Sequence, residues 1–133
     1  MTTIVRLNPQ SLPDAAKAGY SQISIAEPGR LAFVSGQVAW RRDGGAAPGS
    51  LGEQVEIVTA NLSAALAELK ATTEDIVQMR IYVVGLNDES MAIGMGAIGR
   101  FLNGAQPSLT GVGVSALAAP GLLIEVEMVV RVA

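Results

Sequence analysis

From Ile124 to Val132 the chain alternates with a period of two. Ile124, Val126, Met128, Val130 and Val132 fall on one face, while Glu125 and Glu127 fall on the other, flanked by Leu123 and Val129. Side chains of a strand point alternately to opposite faces, so this is a strand with one apolar face and one that carries two acids. A carboxylate set amid so much apolar surface has to be paired, hydrogen-bonded or protonated, because burying it alone is costly. Glu125 is therefore the first candidate for chemistry. The run from Pro107 to Leu117 reads as a second strand, joined to the first by the turn Ala118-Ala119-Pro120-Gly121.

A chain of 133 residues makes one domain, spanning residues 1–133, with room for a real core. Only 16% of the residues are charged and 50% are apolar. A small domain with so little charge is expected to cover part of its surface with another subunit. No apolar stretch reaches the roughly 18 residues that span a bilayer, and residues 1–9 lack a signal-peptide pattern. A cytoplasmic protein with no membrane partner is the expectation.

Cysteine and histidine are both absent. That excludes disulfides, thiol nucleophiles, a Ser-His-Asp triad and His-based metal sites, and no acid-rich cluster suggests a metal or other cofactor. The net charge is −3, with Arg41-Arg42 the one adjacent basic pair. Nucleic-acid binding, which needs a basic footprint, is disfavoured.

Along the chain, Ile4–Leu7 reads as a short strand. Ser21–Ala26 and Leu31–Trp40 follow as an expected hairpin around the turn Glu27-Pro28-Gly29-Arg30. Residues 42–49 form a loop. Ser50 opens the clearest helix, with Ser50 and Glu53 spaced as a capping box: the hydroxyl accepts from the Glu53 N–H and the carboxylate reaches back to the backbone. Leu51, Val55, Val58, Leu62, Leu66 and Leu69 form its apolar stripe. Asp75–Val84 is a near-continuously apolar strand. A second helix starts near Asn87 or Asp88, carries Met91, Met95, Ile98 and Leu102 on one face, and stops near Asn103-Gly104. The predicted order is strand, hairpin, helix, strand, helix, hairpin, an α+β arrangement with both helices on one sheet face.

Gly94, Gly96 and Gly99 have the spacing of a dinucleotide fingerprint. They fall inside a helical pattern instead of the turn after a strand, and no acid follows near Ala118. Close helix–sheet packing is the better reading. In Phe33-Val34-Ser35-Gly36-Gln37, the glycine marks a bulge or a close approach, and Ser35 and Gln37 could present polar groups to a pocket. Tyr20 and Trp40 are candidates to line a cleft. Arg80 could hold a ligand carboxylate, but a pairing with Glu127 or Glu125 across the sheet is the simpler reading.

Taken together, Gly19-Tyr20-Ser21-Gln22, Phe33–Gln37, the helix 54–69, the strand 75–83, Pro107 and Ile124–Glu127 resemble the RidA/YjgF family, also known as endoribonuclease L-PSP. The similarity runs through nearly the whole chain in the same order. It implies a chorismate-mutase-like α+β fold, a homotrimer and small-molecule ligand clefts between subunits. It also implies cofactor-free hydrolysis of reactive imines and enamines such as 2-aminoacrylate. In that chemistry an arginine clamps the substrate carboxylate and a glutamate holds the water.

Glu125 corresponds to the glutamate, Tyr20 and Ser35 to pocket positions, and Gly36 to the strand lining the cleft. The family's Pro-x-Arg-Ser is here Pro107-Ser108-Leu109-Thr110, so Leu109 fills the arginine slot. A bidentate arginine–carboxylate contact is among the stronger polar interactions, and leucine in its place favours an apolar or uncharged ligand. Arg80 is the first candidate to replace the clamp, with Arg30, Arg41 and Arg100 behind it. The functional expectation is an imine or enamine hydrolase using Glu125. The alternative is a non-catalytic small-molecule binding protein, and ribonuclease is a distant third.

Overall fold

Ser50 and Asn87 show why the two long helices begin where they do. The Ser50 hydroxyl accepts the Glu53 N–H at 3.2 Å and opens helix α1 (Leu51–Glu68); the Asn87 side-chain Oδ1 accepts the Ser90 N–H at 2.9 Å and opens α2 (Asp88–Leu102). The expected capping box at Ser50 is only half formed. The Glu53 carboxylate accepts a hydrogen bond from the Ser50 hydroxyl at 2.8 Å instead of reaching the backbone N–H. The second helix ends as expected at Asn103 and Gly104, both at positive φ, which frees the chain to turn into the next strand.

The computed structural model describes residues 4–133. Its strands are β1 (Val5–Leu7), β2 (Ile23–Ile25), β3 (Arg30–Gln37), β4 (Ile76–Val84), β5 (Ser108–Val114) and β6 (Ile124–Val132). β1 and β2 pair with each other as a small antiparallel sheet, and the other four form a sheet in the order β3-β6-β4-β5. β6 runs antiparallel to both its neighbours, β4 and β5 run parallel, and the crossover between them is α2. The strand that alternates most strictly thus sits inside the sheet, with a neighbour on each side.

Two expected pairings do not form. Ser21–Ala26 and Leu31–Trp40 are not a hairpin: β2 pairs with β1 and β3 pairs with β6. The turn between them is spread over the Arg131 side chain, which donates to the Glu27 and Pro28 carbonyls, so β3 leaves in a new direction. The two C-terminal strands are not a hairpin either, because β4 lies between them. Their connection, residues 115–123, is long enough to cross β4. This puts the near-continuously apolar β4 inside the sheet, where a strand of that composition belongs.

The small sheet is tied to the large one by polar contacts. Arg6 donates to the Glu74 and Ile76 carbonyls at 3.0 and 2.9 Å, and Ser24 and Ser108 share a hydroxyl contact of 2.8 Å. Burial pulls the Arg6 pKa below its ordinary value, against the opposing pull of Glu74 and Asp75.

Both helices pack on one face of the large sheet, as expected for this α+β chain. Val55, Val58, Leu62 and Leu66 of α1 and Ala97, Ile98 and Leu102 of α2 meet Met79, Ile81 and Val83 of β4 and Ile124, Val126, Met128 and Val130 of β6. Gly94 is the one glycine of its cluster that brings helix and sheet together; a Cβ there would meet Ile124 Cδ1 at 3.8 Å, an ordinary contact.

Candidate functional site

Among the described residues, the other face of the large sheet carries no helix. Register places Glu125 beside Tyr82, Glu127 beside Arg80, and Val129 between Gln78 and Phe33. The alternation read from the sequence is therefore correct: Glu125 and Glu127 point away from the core, and the apolar set points into it. Phe33 on this open face is 76% exposed. A shallow pocket of about 200 Å³ lies among Phe33, Gln78, Arg80, Glu127 and Val129.

The two acids differ sharply in how they are held. The Tyr82 hydroxyl crosses diagonally, past its direct neighbour Glu125, and donates to Glu127 Oε1 at 2.5 Å. Arg80 Nη1 lies 3.8 Å from the same oxygen. Glu127 thus has a donor and a cation, while Glu125 has neither: among the described residues, no hydrogen bond or ion pair reaches its carboxylate. The hydrogen bond to Glu127, aided by burial and the carboxylate's charge, raises the Tyr82 phenol above its ordinary value of 10.0. A pairing of Arg80 with one of the two acids was expected. The structure gives it to Glu127, with more than half of the arginine side chain still open to solvent.

Glu125 is seated against β3. Val34 pairs with Met128 and Gln37 with Val126, so two residues of β3, Ser35 and Gly36, face one of β6, Glu127, and Glu125 reaches Gly36 from two positions along. This is the bulge that Gly36 signalled in the sequence. The Glu125 carboxyl lies in the space where a Gly36 side chain would stand. Ser35 is exposed two residues beyond Phe33. Glu125, Ser35, Gly36 and Arg80 are therefore gathered on or beside one face.

Leu109 and Tyr20 lie elsewhere. Leu109 pairs with Met79 and packs against the core on the helix side of the sheet. Tyr20 precedes Ser21, whose N–H and hydroxyl donate to Pro107 and Gln106 at the start of β5. Along β4, the partners of Leu109 and Glu125 are Met79 and Tyr82, three residues and about 10 Å apart at strand rise. Within one chain, Tyr20 and Leu109 are not brought to Glu125.

Gln54 escaped the sequence reading. It is fully buried in α1, where Nε2 donates to the Pro48 and Gly121 carbonyls at 2.8 Å each and Oε1 accepts the Leu123 N–H at 2.9 Å. The residue fixes the entry of β6 two positions before Glu125. A glutamine on the buried side of α1, between Leu51 and Val58, was the available signal. The Tyr82–Glu127 bond was also missed, although period two puts Tyr82 on the face of Arg80.

Residues 10–132 match the family model described as endoribonuclease L-PSP. A protein of unknown function from the conserved Rid family, YyfB of Yersinia pestis, is 35% identical and superposes with a TM-score of 0.90, covering 98% of this chain and 99% of that one. The RidA structure from an Antarctic Psychrobacter shares the fold at a TM-score of 0.69 with 21% identity, covering 85% and 88% of the two chains. The mitochondrial protein MMF1 of Saccharomyces cerevisiae is 30% identical over 88 residues, 66% of this chain and 59% of that protein. The match thus spans less than two thirds of the yeast protein's length.

Proposed function

The chain belongs to the endoribonuclease L-PSP family, shared with its Rid relative, and from that premise we propose that it is a cofactor-independent hydrolase of small imines or enamines, with Glu125 positioning water. The observation that carries this reading is the contrast between the acids: Glu127 is held by Tyr82 and Arg80, whereas Glu125 is unengaged and partly open. An unengaged carboxylate on a rigid central strand can accept a proton from water as the oxygen adds to the imine carbon. It can return that proton to nitrogen to give a carbinolamine, then carry the carbinolamine hydroxyl proton to the same nitrogen; the C–N bond breaks, and a carbonyl compound and ammonia leave. No group in that cycle needs to be a histidine, cysteine or metal.

The same reading takes residues 1–133 as one domain, assembled as a homotrimer whose open sheet faces are covered by neighbouring copies. An exposed Phe33 beside Val129 supports such burial. Association would also let Tyr20 and Leu109 of one copy approach Glu125 of another, which a single chain does not achieve. A cytoplasmic location belongs to the proposal and is tested by fractionation, since the yeast relative is mitochondrial.

Leu109 shapes the expected substrate. An alkyl group at that position binds no carboxylate, so uncharged imines should be preferred over 2-aminoacrylate. Losing a charge-assisted contact costs about 1.5–3 kcal/mol, or roughly one to two orders of magnitude in rate at low substrate. Steady-state assays of both substrate types check this. Ammonia release from 2-aminoacrylate as fast as in an arginine-bearing relative would show another clamp at work, and Arg80→Ala would then name it or clear it. Leu109 also supports a second reading, a binding protein that kept a cleft without turnover; saturable ligand binding with no ammonia release on either substrate type would favour it. RNA cleavage has the least support, in an acidic chain with no histidine.

A further inference from the structure

Gly36 lacks a side chain at the point where β3 passes the Glu125 carboxyl. A Cβ built there would overlap the Glu125 side chain, approaching Cδ to 2.6 Å and Cγ to 2.8 Å. The backbone does not require glycine: the positive-φ glycines are Gly19, Gly44, Gly85, Gly104 and Gly121, and Gly36 is not among them. Space, not conformational freedom, is what glycine supplies here. The β3 bulge opposite β6 presents that space to the acid.

We propose that Gly36 is a positioning residue: the void it leaves beside the β3 bulge is the seat that fixes where the Glu125 carboxyl meets its water. The proposal rests on the reading of Glu125 given above and assigns that site a second determinant. The atoms that would collide with a Cβ (Cγ and the carboxyl beyond it) all belong to the Glu125 side chain, which χ1 and χ2 rotation can move. An added methyl group therefore displaces the carboxyl and leaves the backbone of both strands in place. Because Glu125 has no donor among the described residues to hold it elsewhere, the surface of Gly36 is a steric constraint on that carboxyl. A displacement of about 1 Å at a reacting group is enough to cost a large factor in rate.

The test compares wild type, Gly36→Ala, Glu125→Gln and the double variant. Two probes are used: the 2-imino acid formed from leucine by an amino-acid oxidase, and the uncharged imine formed from an alkylamine by a flavin amine oxidase. The expected result for Gly36→Ala is a fall in kcat of about tenfold or more, an unchanged KM, and a melting temperature within about 4 °C of wild type. Added to Glu125→Gln it should have no further effect on kcat, since both changes act through one carboxyl. The Glu125 carboxyl ¹³C resonance, assigned by its absence in Glu125→Gln, should shift in Gly36→Ala.

Wild-type kcat in Gly36→Ala beside an inactive Glu125→Gln overturns the proposal, and so does an unmoved resonance. If wild type turns over neither probe, the hydrolase reading fails, and the resonance alone decides whether Gly36 seats the acid. If Gly36→Ala melts far below wild type, Gly36→Ala/Glu125→Ala decides. Recovered melting places the collision at Glu125 as proposed, and unrecovered melting refutes it.

Discussion

On the helix side of β6, Ile124, Val126, Met128 and Val130 are at most 1% exposed. One residue along in each case, Glu125, Glu127 and Val129 stay partly open, and Phe33 beside them is 76% exposed. Both faces come from the same strands, so neither strand propensity nor backbone hydrogen bonding distinguishes them. What differs is the cover: two helices close one face, and the described residues supply no helix for the other. The closed face gains its stability within one subunit. The open face carries the polar groups and the apolar area that the proposed association and chemistry would use.

The largest stability effect should come from the closed face. Met128→Ala, which empties a fully buried site, should lower unfolding free energy by about 2–5 kcal/mol in denaturant titrations. Gln54→Ala should follow. It leaves the Leu123 N–H and two carbonyls without their partner in a buried setting, a loss of about 2–3 kcal/mol. A Gln54→Ala protein as stable as wild type would mean that water replaces the amide.

On the open face, Phe33→Asp should leave each chain folded and disrupt the proposed trimer, as read by sedimentation at micromolar concentration. If the variant unfolds, the face belongs to the monomer's own core and the comparison fails. A folded, stable monomer already present in wild type would contradict the proposed assembly outright.

The smallest effect is spectroscopic. Tyr82 should ionise above the ordinary phenol value of 10.0, because its O–H donates to Glu127. With the folded value raised, this hydrogen bond contributes fully below pH 10.0 and is lost as pH rises through the folded value. Absorbance titration at alkaline pH should show the shift in wild type and its reduction in Glu127→Gln. Tyr20, the only other tyrosine, serves as reference in a Tyr20→Phe background.

Which residues face the core was legible in the sequence, because it depends on alternation and helical spacing, both local. The helix limits at Ser50, Asn87 and Asn103 were legible for the same reason: each rests on one side chain or one backbone angle. Strand partners were not. β2 and β5 lie beside runs that look like hairpin mates, but Arg131 diverts the first turn and the long link of residues 115–123 carries β6 past β4. Both causes are non-local.

At the site, the shared face of Glu125 and Glu127 followed from alternation, and Gly36 marked the bulge. Which acid would be engaged did not follow, since it depends on Tyr82 reaching diagonally to Glu127 instead of straight to Glu125. The placement of Leu109 on the helix side was equally hidden, being set by the β4–β5 register.

The division of labour between the two acids is tested most directly by measuring turnover and melting temperature side by side in Glu125→Gln. The amide fills the same space but cannot exchange a proton with the attacking water as a carboxyl can. The account predicts a trimer that melts like wild type and has lost most of its activity, by about 100-fold or more on any imine the wild type hydrolyses. A stable Glu125→Gln trimer with unchanged turnover would remove Glu125 from the mechanism and contradict the account at its centre.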